Sequence, residues 1–433
     1  MTATLIDQAI AEGGIRSVNF FNGRLLTGRD LGREQDARRQ ADRRIAQAAG
    51  HGIARGLEVL AGPPGSDGPV VIVKPGLAVS RSGHMLYLES QAEVVLGRRA
   101  PPRVAASRTF DDCKLRGGSY AAAPGVYLLT LAPAEDREGH ALTKALDDTA
   151  VPCNTDALIE AVQFRLLPIG SLLEDERDAV DQRTPLPDAP ARRSLLRNRI
   201  AHRCFGTDEL RAFLIDPLGA GGEPYGLLAK LAGHGLTDCD VPLAIIKLET
   251  EIDFVDQWSV RRRITRPCAA GAWAMLADDR RQAEGEAMFL QFQEQLEGIR
   301  LGEWHPESMT AIDRFDYLPP LGLLPIWSDP ASPGFDYRTF FGKWPFREPL
   351  FMDGDQFQRV LQASFIHAPI ALTDTANKVM FWLFQLRENV QGVGAQPTQR
   401  RPFLIFASGH IPPDAAARCD VSRWGYSNFS PVV

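Results

Sequence analysis

The stretch Ile53-Ala54-Arg55-Gly56-Leu57-Glu58-Val59-Leu60, a Gly/Pro turn at 62–69, and then Val70-Val71-Ile72-Val73 decide the fold class. The first segment alternates as a half-buried strand does, and the second is a short apolar run suited to a buried strand. Pro75-Gly76 signals a turn. Leu77-Ala78-Val79 and Met85-Leu86-Tyr87-Leu88 then read as paired strands around Ser82-Gly83, a hairpin. Further strands fall at 125–131 (GVYLLTL), 158–167, 241–248 and about 252–255, so a β region spans about 51–265.

Helices flank and interrupt that region. Segment 29–49 has no Pro and many good helix formers, with Thr27 as its candidate cap. Ala41, Ile45 and Ala48 follow helical spacing, a thin stripe of mainly small residues that calls for close packing. Residues 98–124 and 175–193 read as loops, the latter holding Pro185, Pro187 and Pro190. Residues 194–232 read as helical pieces broken by Pro217 and by glycines at 219–222. The clearest helix covers about 272–299, where Met288, Phe289, Phe292, Leu296 and Ile299 form a core-facing stripe. A Pro- and aromatic-rich stretch follows at 317–327, then strands at 378–386 and 402–407. The expected fold is therefore α+β: an antiparallel β-rich multidomain protein with an N-terminal helix, a helical insertion and a long helix leading into a C-terminal domain. The expected divisions are 1–50 (arm and helix), 51–270 (β-rich, with the insertion at about 194–232) and 271–433 (helix plus α/β domain).

Composition bounds the function classes. At roughly 100–200 residues per domain, 433 residues suggest two to four domains. A hydrophobic content of 44% with 24% charged residues fits a globular chain. A net charge of -6 gives no global pull toward nucleic acid or anionic membrane. No apolar run reaches the ~18 residues of a membrane helix. The N-terminus carries Asp7 and Glu12 and no basic region, unlike a secretory signal. Six scattered cysteines without a C-x-x-C pair read as reduced thiols of a protein made in the cytoplasm.

Motifs for chemistry are sparse. Gly342-Lys343 is followed by Trp344 and lacks the spacing of a phosphate-binding loop. Ala407-Ser408-Gly409-His410 puts Ser beside His without the elbow that exposes a nucleophile. His202, Cys204, His234 and Cys239 are irregularly spaced for zinc, and structural thiols and ordinary histidines are the better expectation. Asp353-Gly354-Asp355 lacks the later oxygen ligands of a calcium loop and reads as a polar turn. Catalytic residues, cofactors and metals are accordingly expected to be none. Arg29, Arg33, Arg38, Arg39, Arg43 and Arg44 could face phosphates, but Asp30, Glu34, Asp36 and Asp42 interleave with them. With Glu34 placed four residues before Arg38, the helix reads as a self-paired face, and nucleic acid is not expected.

The string Asn19-Phe20-Phe21-Asn22-Gly23-Arg24-Leu25-Leu26-Thr27 combines two adjacent aromatics with a turn-forming Asn-Gly pair. Neighbouring residues on a strand face opposite sides, so two adjacent Phe rings need two apolar partners. Either another layer of this chain or another protein supplies the second. Trp424, Tyr426 and Phe429 pose the same question at the other terminus. Terminal segments fray unless tied down, and aromatics favour interface cores. The candidate intersubunit contacts are thus Phe20, Phe21, Asn22, Arg24, Trp424, Tyr426 and Phe429.

Several segments resemble a group of accessory proteins encoded with phage-tail-like contractile injection systems. They are NFFNGRLLTGRDLGREQD, HGIARGLEV, PGLAVSRSGHMLYL, DVPLAIIKL, YLPPLGLLPIW, FFGKWPFREPLFMDG, FWLFQLREN and FASGHIPPDAAARCDVSRWGYSNF. The resemblance touches both ends and most of the middle of the chain. Similar members often carry a bulkier Trp or Val where this chain has Gly52-Ile53-Ala54. The resemblance implies a structural subunit at the baseplate end of a contractile sheath–tube particle, an extension or cage around it, with no catalytic residues. It also implies other baseplate or sheath-particle subunits as partners, a homo-oligomer (trimer or hexamer), and cytoplasmic assembly before release or envelope anchoring. The alternative is a surface-ligand or glycan-binding module of the same particle or of the cell envelope. A hydrolase rests only on scattered carboxylates and on Ser408 with His410.

Overall fold

The computed structural model describes residues 11–63, 65, 68–96, 124–139, 141–142, 153–154, 156–216, 225–232, 234–266, 279–302, 305–326, 333–374, 379–387 and 402–411. Within them the chain is a mixed α+β protein with mostly antiparallel sheets and an N-terminal helix.

Helix α1 (Gly28–Ala49) starts at Thr27 as expected. The Thr27 Oγ1 accepts the Asp30 N–H (3.2 Å) while Asp30 accepts the Thr27 N–H (3.1 Å), a reciprocal cap that satisfies two orphan donors. Its buried face differs from the expected stripe. Ala37 and Ala46 are buried, whereas Ile45 is 69% exposed and Ala48 is exposed. Two alanines let the helix backbone approach the body closely, leaving the larger Ile45 outside.

The expected strand 53–60 is broken. Strand β1 (Gly52–Gly56) ends at Gly56, and β2 (Val59–Ala61) begins after Leu57; both Gly56 and Leu57 have positive φ (62° and 61°). A Cβ at Gly56 would lie 1.9 Å from the Pro75 carbonyl oxygen, so only glycine fits. The kink sends the two halves into different sheets. With β3 (Val70–Val73), β4 (Gly76–Val79), β5 (Met85–Leu88) and β6 (Ala92–Val95), they form sheets β1-β4-β5 and β2-β3-β6. The hairpin around Ser82-Gly83 is present as β4 paired with β5.

Next come β7 (Gly125–Glu138), β8 (Ala141–Leu142), β9 (Cys153–Asn154) and β10 (Ala157–Pro168). Helices α2 (Glu174–Asp181), α3 (Ala189–Phe205), α4 (Thr207–Ile215) and α5 (Gly226–Lys230) precede β11 (Val241–Leu248) and β12 (Ile252–Asp256). The expected loop at 175–193 thus holds α2. Its acidic first turn (Glu174, Asp175, Glu176) suits the helix dipole, and Val180 anchors it in the core.

The sheet β10-β7-β11-β12 is covered on both faces. Tyr127, Leu129, Leu131, Leu243 and Ile246 pack with Leu57, Val71 and Val73 of the small sheets. Val126, Leu128, Ile245 and Phe254 pack with Leu196, Ile200 and Leu227 of the helices. Burial on both faces explains why β7 and β11 carry near-continuous apolar runs.

The long helix α6 (Asp279–Gly302) buries Met288, Phe292, Leu296 and Ile299 as its stripe requires. The expected segment 272–278 lies outside the described residues. There follow β13 (Tyr317–Leu318), β14 (Leu321–Pro325), α7 (Tyr337–Phe341), β15 (Leu350–Met352), α8 (Gly354–Ser364), β16 (Ile370–Ala371), β17 (Phe381–Leu386) and β18 (Phe403–Ser408). The C-terminal sheet runs β14-β18-β17-β15, with β15 parallel to β17. Its core is aromatic: Phe406 meets Phe292 edge-on (5.5 Å, 90°) and Phe381 likewise (5.9 Å, 82°).

A buried polar knot ties β12, α3 and α6 together. Asp256 pairs with Arg197 (2.6 Å) and accepts from Gln291 (3.0 Å) and the Ser259 N–H (3.0 Å). Arg197 also reaches Glu294 (2.7 Å). The Arg197 guanidinium and these donors hold Asp256 below the usual carboxylate range against the opposing effect of burial.

Candidate interaction surface

The N-terminal arm lies along α1. The Val18 N–H donates to Glu34 (3.1 Å), and Arg44 donates to the Gly13 carbonyl. Glu34 therefore fixes the arm, and no Glu34–Arg38 ion pair forms among the described residues. A turn at Asn22-Gly23 is closed by the Arg24 N–H to the Phe21 carbonyl (3.2 Å), with Gly23 at φ 89°. Arg24 then joins arm to helix: it donates to the Asn19 carbonyl (2.6 Å), pairs with Asp30 (2.7 Å) and sits 5.9 Å from the Phe21 ring centroid. Hydrogen bonds from Thr27, then Arg24, lower the Asp30 pKa to about 2.

This scaffold presents its apolar side chains to solvent. Phe20 is 55% exposed, Phe21 63%, Leu25 88% and Leu26 53%. Among the described residues neither Phe finds a covering layer, so the second partner expected from sequence is not found within them. The structure brings Phe20, Phe21, Asn22 and Arg24 together on one turn. Trp424, Tyr426 and Phe429 lie outside the described residues, as does the expected pairing of the two termini.

A second exposed element escaped the sequence. Strand β11 pairs with β7 only from Gly125 to Leu131, while β10 continues beside β7 to the Ala157↔Glu138 pair. Beyond Leu131 β7 and β10 pair with each other as a ribbon without β11, Ala132 and Pro133 still being buried, and β8 with β9 continues the pairing. At roughly 3.3 Å per residue, the segment 132–138 alone runs roughly 23 Å. Leu158 (52%) and Ile159 (40%), adjacent and so on opposite faces, are both exposed. Helix α1 touches this ribbon through Arg39 and Glu160 (3.1 Å).

The groups considered for chemistry are otherwise engaged. His202 is buried, stacks on Tyr317 (4.5 Å) and hydrogen-bonds Thr207 (2.9 Å); burial lowers its pKa to about 3. Cys204 is a free thiol whose pKa burial raises to about 12. His234 bonds the Lys230 carbonyl in an exposed turn. Cys239 is disulfide-bonded, which corrects the expectation of reduced thiols throughout. Among the described residues no group of three His, Cys, Asp or Glu side chains is placed to hold a metal ion. Ser408 is buried, and its hydroxyl accepts the His410 backbone N–H (3.3 Å). Asp353 caps α8 rather than forming part of a calcium loop.

Besides a cleft of about 210 Å³ beside Trp258 and Glu286, two larger ones are present. The larger, about 630 Å³, lies between α2, α3 and the ends of β7 and β11. Its charges largely cancel, Arg193 pairing with Asp253 (2.5 Å) and Lys247 with Glu249 (2.8 Å). The smaller, about 300 Å³, is lined by His51, Arg81, Arg262, Arg280 and Glu284, where burial and then Arg81 and Arg280 lower the His51 pKa. No protein-family model matches the chain, and no curated protein matches it. No helix among the described residues is long and apolar enough to cross a membrane.

Proposed function

We propose that this chain is a structural assembly subunit of a phage-tail-like contractile injection particle, at or extending the baseplate. One observation carries the assembly role: the arm leading into capped helix α1 exposes Phe20, Phe21, Leu25 and Leu26, with no covering layer among the described residues. Burying such a side chain is worth about 1.5–3 kcal/mol, so four exposed together form a surface suited to a protein partner. The sequence resemblance names the particle. Rotational symmetry of baseplates makes a closed ring of copies, a trimer or hexamer, the natural arrangement.

The test is mass spectrometry of sheath–tube particles purified from the producing strain. This chain is expected to co-purify in fixed ratio to sheath and tube, and particles from a strain deleted for it should lack the corresponding baseplate density. Complete particles that never contain the chain would remove the proposal.

A further inference from the structure

We infer that the cleft of about 300 Å³ shared by the β4–β5 turn, the segment after β12 and the start of α6 binds a small organic oxyanion, a carboxylate or phosphate ester on an apolar body. The inference stands apart from the assembly role and concerns a ligand rather than a protein contact.

Three arginines reach the cleft from three different elements, and the fold holds each in place. Arg81 stands in the β4–β5 turn, which is fixed by the Gly83 N–H to the Ser80 carbonyl (2.9 Å) and the Ser82 N–H to the Asp238 carbonyl (2.9 Å). Arg262 donates to the Trp258 and Arg261 carbonyls (2.8 Å each) and to the Ser259 carbonyl (3.0 Å). Its guanidinium lies 5.0 Å from the Phe205 ring centroid. Arg280, in the first turn of α6, donates to the Tyr225 carbonyl (3.1 Å) and lies 4.6 Å from that ring's centroid. Planar guanidinium groups held before a ligand arrives lose little freedom on binding it.

Charge does not balance among these residues. The cleft has two acids in its lining, Asp240 and Glu284. Asp240 is engaged by Arg165 (2.5 Å), Thr130 (2.9 Å) and Thr237 (2.7 Å), and Glu284 by Arg280 (2.9 Å). Arg81 and Arg262 have no carboxylate at ion-pair distance among the described residues. A cation drawn out of water without a counter-charge is costly, and a bound anion offsets that cost. Burial lowers the Arg262 pKa, with Glu284 opposing and Arg280 adding to the effect. At His51 the arginines again act after burial, and Asp238, which is exposed and outside the lining, opposes them. Buried Val79, Val241 and Val260 line the same cleft with Leu228 and form its apolar wall. A guanidinium fork beside an apolar wall, in a volume at the lower end of the roughly 300–1,000 Å³ of ligand sites, suits a small anion with an apolar body.

The experiment is isothermal titration calorimetry of the full-length chain with benzoate, phenyl phosphate, inorganic phosphate and the neutral benzamide. Saturable one-to-one binding of benzoate or phenyl phosphate is expected, with no binding of benzamide, and the tighter of the two anions names the headgroup. Arg81 is exposed and makes no hydrogen bond or ion pair among the described residues, so Arg81→Gln should unfold at the wild-type temperature. The same variant should bind the anion roughly tenfold more weakly or worse, and Arg81→Lys should fall between it and wild type. Binding of neither aromatic anion, benzamide binding as tightly as benzoate, or unchanged affinity in Arg81→Gln would overturn the inference. Inorganic phosphate binding as tightly as phenyl phosphate would also overturn it, because the apolar body would then contribute nothing. Either result leaves the assembly role untouched.

Discussion

Phe20 and Phe21 show what the sequence could and could not say about a single residue. Their adjacency already implied two partners, but whether this chain supplied them depended on the path of the arm, which Glu34 and Asp30 set through contacts no local pattern reveals. Because both rings are more than half exposed, Phe20→Ser with Phe21→Ser should change the folding stability of the isolated chain by no more than about 0.5 kcal/mol in a denaturant titration. Incorporation of the same variant into particles should fall sharply. The Asp30 cap makes a pH prediction. Its folded pKa, about 2, lies below the ordinary 3.8, so its stabilisation is full above 3.8 and is lost as pH falls through 2. An NMR titration of the Asp30 carboxyl should therefore give a midpoint well below the ordinary 3.8. His202 acts in the same acid direction through a different cause. Buried and neutral, with a pKa of about 3 against an ordinary 6.5, it binds its proton more readily when unfolded. Stability should decline as pH drops from about 6.5 toward 3, and His202→Gln should flatten that part of the profile measured by thermal unfolding.

Among the elements, those buried on both faces were the most legible. Strands β7 and β11 are apolar runs because each is covered by small sheets on one side and helices on the other. Helix α6 was plain from the spacing of Met288, Phe292, Leu296 and Ile299. Helix α1 was visible from composition and cap, yet its buried face was not, because alanines rather than Ile45 meet the body. The break at Gly56-Leu57 hid inside an alternating pattern that two successive strands also produce. The β7–β10 ribbon was invisible for a different reason: sheet order and the point where β11 stops pairing are tertiary facts. The knot at Asp256 belongs to this scale too. Asp256→Ala would leave Arg197 buried beside fewer acceptors and should cost about 3–5 kcal/mol by denaturant titration, the range for breaking one side of a buried ion pair. Gly285→Ala should also destabilise, since a Cβ there would lie 2.1 Å from the Phe365 carbonyl oxygen across the close approach of α6 to the end of α8.

For the molecule as a whole, large apolar side chains concentrate in the cores, and the arm gathers several that face water. Three layers around the central sheet and an aromatic C-terminal core bury the bulk of the large apolar side chains, while Phe20, Phe21, Leu25 and Leu26 of the arm stay exposed. The larger cleft is lined by largely self-paired charges, and His202 and Cys204 are buried. The proposed assembly role rests on that exposed arm. The most direct measurement is to complement a deletion strain with a chain lacking residues 1–28 and quantify that chain in purified particles. The account predicts that the shortened protein folds, is present in the cell, and is missing from the particles. Particles that retain it at the wild-type ratio would contradict the account.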